Sequence, residues 1–543
     1  MTRREAWLSV TLVFLAAVAV RIWAASVITF PRPEDTAYYV GVARNLVEGR
    51  GLVSDALWSY GTPPLAFPRP AFEVWLPLPT FLAALPMAIL GTTFVAAQWS
   101  SIVVGGVVAV LAWRLAADVA AERRLPVGRA RTLALGTGLS AAVFLPLVLH
   151  SVLPDSTMPF GALVLASCLL ASRVVRGPRG ARLADPRVLA LGVLLGLAAL
   201  TRNEAIWLAL SWVLVARGAA TVAGAGRAGW ARLVATAAIP ALLLFAPWAI
   251  RDWAAFGSPF PGQAVANAFS LDGRDIFAWQ ETPTLGRYLD AGVGTLVGLR
   301  WTGFLHNLLN VLLFLGIPVS VIGLAGLPWT ARGSALAMLA RFSAITFLAT
   351  TVLFPVATTW GTFLHASAAV QVLLLLSALL VLDALIAAVG DRRGWTRPVA
   401  WLGPVLGIGA GALFTAVLLP AFGRDGDRVR DRYAALPAAL EAAGVPLEIG
   451  GAPVITDFPI WFAEETGSRA IALPDEPPAS VLDLASRFPG TRLVIVDEGN
   501  DGMWPEVALN TPSFAVRACF RPVELPGPDP AIAGLVVLRI ACP

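Results

Sequence analysis

The chain has 543 residues, of which 57% are hydrophobic and only 14% charged, against roughly 25% charged in ordinary soluble domains. That balance excludes a soluble globular protein, which would expose too much apolar surface. The formal net charge is +5 and all 40 basic residues are arginine; gathered in short loops, they set membrane topology and give no reason to expect a nucleic-acid partner.

In chain order, Arg3 and Arg4 precede an apolar run over 6–28, which is longer than the core of a cleavable signal and is followed by further spans. Eleven spans are predicted, at 6–28, 94–118, 131–150, 156–176, 187–201, 204–218, 232–250, 303–328, 341–358, 362–388 and 398–420. Most approach the roughly 20 apolar residues that a bilayer requires. The Arg-rich loops 121–131, 173–187, 217–232, 332–341 and 391–397 belong in the cytoplasm with the N-terminus. That topology holds only if 71–90 does not cross. Glu73, Pro77, Pro79 and Pro86 make this segment a poor spanning helix, so it reads as a juxtamembrane or re-entrant piece on the outer surface.

Residues 421–543 regain polar character. Apolar runs 452–456, 469–473, 492–497 and 534–541 alternate with helix-like 427–443, 458–466 and 479–488, which reads as βαβ units and a small parallel sheet. The expected architecture is therefore a polytopic α-helical membrane unit, 1–420, with juxtamembrane helices in its first outer loop, 29–93. A small extracytoplasmic α/β domain, 421–543, follows. Cys168 lies in a span; Cys519 and Cys542 can pair if that domain is outside.

The first outer loop opens PRPEDTAYYVGVARNLVEGRG (31–51). Thr36 can cap a helix over 37–48, stopped by Gly49 or Gly51, with Tyr39, Val42, Ala43, Leu46 and Val47 on one face. That pattern fits an interfacial amphipathic helix. Glu34 and Asp35 are then either N-terminal carboxylates favoured by the helix dipole or functional groups. Asp155, in HSVLPDSTM (150–158), is likewise either a cap or a second outer carboxylate. Arg202 and Arg251 stand at outer span boundaries, where a guanidinium suits a phosphodiester; Glu204 or a lipid headgroup is the bland partner of Arg202. His150, His306 and His365 show no metal-ligand spacing, and no Gly-rich phosphate loop appears, so no cofactor is expected.

A carboxylate pair after the first span, the Tyr-Tyr helix ending in ARNLVEGRG, and the proline-containing FPRPAFEVWLPLPTFLAALP (67–86) resemble the GT-C superfamily of membrane glycosyltransferases. The likeness is to the branch of protein O-mannosyltransferases, lipid A aminoarabinose transferases and rhizobial lipopolysaccharide sugar transferases. LGVLLGLAALTRNEAIWLAL (191–210), PWAIRDWAAFGSPFPG (247–262) and VITDFPIWFAEETGSRAIALP (454–474) extend it. Where many members carry His-Pro-Pro, this chain has Arg69-Pro70 and Glu73. The resemblance implies a polyprenyl-phosphate sugar donor, a glycan, lipid or protein acceptor, and transfer on the outer face of the cytoplasmic membrane. It makes Asp35 the catalytic carboxylate, with Glu34 beside it and Asp155 assisting, and Arg202 and Arg251 the donor-phosphate ligands. Some relatives are metal-dependent, and Glu34, Asp35 and Asp155 could hold a divalent cation. The rival classes are a transporter or lipid flippase, against which no internal repeat is found, and an inactive scaffold.

Overall fold

The computed structural model describes residues 2–177, 185–314, 319–395, 399–510, 519–526 and 529–541. In the first part of the chain the helices are α1 (Arg3–Val27), α2 (Glu34–Val47), α3 (Leu78–Leu90), α4 (Phe94–Glu122), α5 (Val127–Val143), α6 (Leu145–His150), α7 (Thr157–Arg176), α8 (Pro186–Ala199), α9 (Ala205–Val222) and α10 (Gly226–Phe256). Then come α11 (Gln263–Ala266), α12 (Leu285–Asp290), α13 (Gly292–Leu309), α14 (Val319–Thr330), α15 (Ala337–Leu353), α16 (Thr362–Ala366), α17 (Ala368–Arg392) and α18 (Leu402–Ala442). Among them α1, α4, α7, α9, α10, α17 and α18 are seven helices long and apolar enough to cross a membrane, and α3, α8, α14 and α15 are shorter apolar helices.

Among the described residues the expected spans fall largely on helix, with breaks in three of them. The 362–388 span divides at Ser367, which leaves α16, with His365, ahead of the spanning α17. The 131–150 span divides at Phe144, because Pro146 in the first turn of α6 has no N–H to continue the ladder of α5. Arg21 of α1 fills the break, donating to the carbonyls of Ala17 at 3.1 Å, Ala142 at 3.0 Å and Leu147 at 3.5 Å. Gly105 of α4 makes room, since a Cβ there would lie 2.3 Å from Arg21 Nε. The 303–328 span passes from α13 into a π turn at Asn310–Phe314. Segment 71–90 yields only the 13-residue α3, about 20 Å long at the usual helical rise and too short for a hydrocarbon core of roughly 30 Å.

One end of the bundle gathers arginine. Arg131 pairs with Glu5 (3.3 Å), Arg129 with Asp383 (2.6 Å), and Arg176 with Asp118 (3.3 Å). Arg179 and Arg182 lie outside the described residues. The other end carries the sheet. Short strands β1 (Val53–Ser54), β2 (Ala56–Leu57) and β3 (Arg69–Pro70) lie between α2 and α3. They precede β4 (Val454–Thr456), β5 (Ala470–Ala472), β6 (Leu493–Asp497), β7 (Phe520–Val523) and β8 (Leu535–Ile540), with helices α19 (Pro459–Thr466), α20 (Pro478–Arg487) and α21 (Trp504–Asn510) between them.

The main sheet has the order β2-β5-β4-β6-β8-β7. It is mixed, where a parallel sheet was expected. α19 and α20 are crossovers that make β5, β4 and β6 parallel, while β8 returns antiparallel between β6 and β7, with Ile495 opposite Val537. Its far edge is β2, parallel to β5 with Ala56 opposite Ala470, so the segment between α2 and α3 is built into the sheet. The 41-residue α18 runs through residue 420 for about 60 Å. Its C-terminal half packs Tyr433, Leu436 and Leu440 against Phe462, Ala470 and Ile495.

α2 also departs from expectation. It starts at Glu34 with Pro33 as N-cap and no side-chain cap; Thr36 is buried instead of capping. Tyr38, Tyr39, Val40, Val42 and Ala43 are all buried, so α2 is not an interfacial helix resting on lipid. It is held between α3 and α19, where Arg44 grips Glu464 through two bonds of 3.1 and 2.5 Å.

Candidate active site

Four segments converge between the bundle and the sheet: the start of α2, the α6–α7 turn, the α8–α9 turn and α16. Asp155 divides its oxygens. Oδ1 accepts the Thr157 N–H at 2.7 Å and so begins α7; Oδ2 lies 3.3 Å from His150 Nδ1 and 3.9 Å from His365 Nδ1. The capping and functional readings of Asp155 are thus compatible. His365 Nδ1 is also 3.6 Å from Asp35 Oδ2 and 3.0 Å from Thr157 Oγ1. Asp35 and Asp155 therefore meet across one imidazole. Gly361 permits this: its φ is +102°, and a Cβ there would stand 2.9 Å from the His365 ring. The two histidine rings meet edge to face, 5.5 Å apart.

Burial opposes ionisation of Asp155, but the hydrogen bond and charge of His150, the nearby His365 and the Thr157 N–H outweigh it and lower its pKa. Burial lowers the pKa of His365; Asp35 and Asp155 oppose that effect, while His150 and Arg202 add to it. At neutral pH the pair is an ionised Asp155 beside a neutral imidazole.

Arg202 enters from the α8–α9 turn. It bonds Glu204 at 3.0 and 2.8 Å, Ser156 Oγ at 2.7 Å and the Thr362 carbonyl at 3.4 Å. Ser156 links it to Asp155, the preceding residue. Arg251 stands in a different setting. It donates to Asp252 (3.0 Å) and to the carbonyls of Ala71 (2.7 Å) and Leu52 (3.4 Å), and stacks over Trp248 and Phe256. Nearby, Arg69 and Glu73, which replace the His-Pro-Pro, form a buried pair 3.7 Å apart; Tyr38 also reaches Glu73, at 3.5 Å.

Glu34 faces away from Asp155. Burial, with Asp35 and Asp457, raises its pKa to about 8 against the hydrogen bond from the Ile460 backbone. Its Oε1 is buried without a hydrogen-bond partner among the described residues. The adjacent carboxylates of α2 thus serve two surroundings: Asp35 the histidine–aspartate cluster, Glu34 the sheet.

Among the described residues, one set of side chains could hold a metal ion. Ligand atoms of His150, Asp155 and His365 all lie within 4.8 Å of one another. Two imidazoles and a carboxylate suit a divalent transition metal. Sequence spacing hid this set, because His365 is far from the other two in the chain; its only sign was that His150 and His365 both fall at outer turns.

No family model and no curated protein matches the sequence. Solved structures do. The chain is similar to an oligosaccharyltransferase from Archaeoglobus fulgidus tethered to an acceptor peptide, with TM-score 0.56 and 15% identity over 99% of this chain and 76% of that one. It is similar to ArnT from Cupriavidus metallidurans in the apo state, with TM-score 0.54 and 13% identity over 99% and 98% of the two chains. The same enzyme bound to undecaprenyl phosphate gives TM-score 0.55 and 13% identity over 98% and 97%. This chain has the fold of that oligosaccharyltransferase and of ArnT.

Proposed function

We propose that the chain is an inverting glycosyltransferase that moves a hexose or pentose from a polyprenyl-phosphate donor to a hydroxyl acceptor on a cell-envelope glycan, lipid or protein. The observation that carries this reading is the meeting of Asp35 and Asp155 across His365. Asp35 accepts the acceptor's proton as its oxygen attacks the anomeric carbon. The bond from that carbon to the phosphate oxygen breaks, and its electron pair leaves with the polyprenyl phosphate. Asp155 and His365 orient Asp35 and the incoming hydroxyl. Arg202 offers its remaining N–H to the donor phosphate, while Arg251 tethers residues 52 and 71.

The reaction is placed on the outer face of the cytoplasmic membrane, with the N-terminus inside. The arginines gathered at the opposite end support this topology. So does Cys519, which is disulfide-bonded; Cys542 lies outside the described residues. Residues 1–420 supply the membrane unit and 421–543 its cover, sharing α18 and β2.

Charge favours a second, metal-assisted form of the same reading. Three carboxylates, Asp35, Asp155 and Glu204, stand against the single guanidinium of Arg202, a balance unfavourable for an anionic donor. His150, Asp155 and His365 would hold a divalent cation, which would supply Lewis-acid charge at the leaving phosphate.

The test is turnover with polyprenyl-phosphate mannose, arabinose, glucose and galacturonic acid, comparing wild type and Asp35→Asn. A loss of about 10²–10⁴-fold with unchanged melting is expected. Near-normal transfer by the variant would reject the mechanism. Movement of lipid-linked sugar across liposomes without transfer would make the protein a flippase.

A further inference from the structure

At the end of the bundle away from the sheet, α4, α7 and α8 enclose an open cavity of about 360 Å³. It is lined by Arg114, Asp118, Arg173, Arg176, Gly177 and Arg187. Four guanidinium groups face one carboxylate, so the lining carries 4 − 1 = +3. Asp118 is buried and shared: Arg114 is 2.8 Å away, Arg176 3.3 Å and Arg173 3.8 Å. Asp185 reaches Arg187 from outside the cavity, at 3.5 Å. One buried carboxylate divided among three guanidinium groups leaves most of their N–H donors directed elsewhere.

The position of Arg114 says where that charge acts. It lies nine residues before Arg123, the C-cap of α4, so it sits about 13 Å inside that helix end. It continues the exposed stripe Val103, Val107, because positions 103, 107 and 114 share one helix face. Its side chain is 45% exposed on this apolar stripe. Across the cavity, Arg187 is 48% exposed, while the exposed Leu189 and Val193 of α8 lie on another face of that helix. The α4 stripe, ending in a cationic group, matches an acyl chain that ends in a phosphate. A free anion would use the arginines and leave the α4 stripe unexplained.

We propose that this cavity binds the headgroup of an anionic phospholipid, with its phosphate between Arg114, Arg173 and Arg187 and an acyl chain along the exposed stripe of α4. A doubly charged headgroup matches the +3 lining better than a zwitterionic one. The site is separate from the sugar-transfer site and does not depend on that reading.

The full-length protein in phosphatidylcholine nanodiscs is titrated with cardiolipin, and bound lipid is counted by native mass spectrometry. Wild type should retain cardiolipin over phosphatidylcholine. Arg114→Gln/Arg187→Gln should weaken cardiolipin binding about tenfold, as expected for loss of a charged hydrogen-bond partner, with unchanged melting temperature. If the double variant does not fold, Arg187→Gln alone carries the comparison. Equal retention by wild type and variant would overturn the site. Inorganic phosphate competing as well as the lipid would overturn the lipid and leave an anion site.

Discussion

Glu34→Gln is expected to stabilise the protein above neutral pH and to leave it unchanged near pH 4.5. Burial, with Asp35 and Asp457 adding to it, raises the Glu34 carboxyl from 4.5 to about 8 in the folded protein. Folding therefore takes up a proton between those two values. The stability linked to this group is fully present below pH 4.5 and is lost as pH rises towards 8. The interval of 8 − 4.5, at about 1.4 kcal/mol per pH unit, corresponds to roughly 5 kcal/mol once pH exceeds 8, and to roughly 2 kcal/mol at pH 6. Glutamine keeps the shape and cannot ionise, so the variant escapes this loss. Thermal unfolding followed by tryptophan fluorescence at pH 4.5, 6, 7.5 and 9 should show a gap that opens with pH and levels off above about pH 8. A gap that does not change with pH, or one that favours wild type at pH 9, would refute the assignment of Glu34 to the buried face.

Arg202→Gln should strand Glu204 without its bidentate partner, costing about 3–5 kcal/mol of stability. Adding Glu204→Gln should restore the melting temperature and not sugar transfer; recovery of both would remove Arg202 from the donor site. His365→Asn should carry activity to lower pH. In wild type, protonation as pH falls through the lowered pKa of His365 places a cation between Asp35 and Asp155 and ties up the base. A pH profile of kcat/KM with an unmoved acid limb would separate His365 from Asp35. Arg44→Gln breaks the two bonds to Glu464, at a cost of about 3 kcal/mol. Hydrogen exchange should rise in α2 and α19 and not in α4 or α7; a uniform rise would mean general destabilisation.

Much of the fold was legible in the sequence because membrane spans and parallel strands are local signals. Glu73, Pro77, Pro79 and Pro86 mark 71–90 as non-spanning; α3 starts only after Pro77 and ends at Gly91, whose φ is +98°, while Pro86 lies within it. Runs 452–456, 469–473, 492–497 and 534–541 became β4, β5, β6 and β8. What was not legible depends on contacts between distant parts of the chain. Residues 56–57 carry too little pattern to announce an edge strand, and they pair with a partner more than 400 residues away. The face pattern of 37–48 predicts an interfacial helix, but α2 is covered as well by residues after 458, which a local window cannot see. In the site, Asp35, Asp155 and Arg202 stood out as polar groups at outer boundaries. His150 and His365 did not, because a histidine gains meaning here only from a turn 208 residues from Thr157.

These long-range contacts also explain why the sheet matters to a site built on membrane helices. Asp35 belongs to α2, and α2 has no side-chain cap and few exposed residues of its own to stabilise it. Its position is imposed from the sheet side by Arg44–Glu464, by the Ile460 backbone bonded to Glu34, and by β2 paired to β5. From the membrane side Thr80 Oγ1 holds the Tyr39 carbonyl at 3.2 Å, and Leu78 N–H bonds the Leu200 carbonyl at 2.9 Å, two residues before Arg202. Asp35 is thus fixed relative to Asp155 only when both layers are docked. Motion of the sheet would displace the proposed base and leave the α6–α7 turn in place, which gives the cover a direct physical route to control the proposed chemistry.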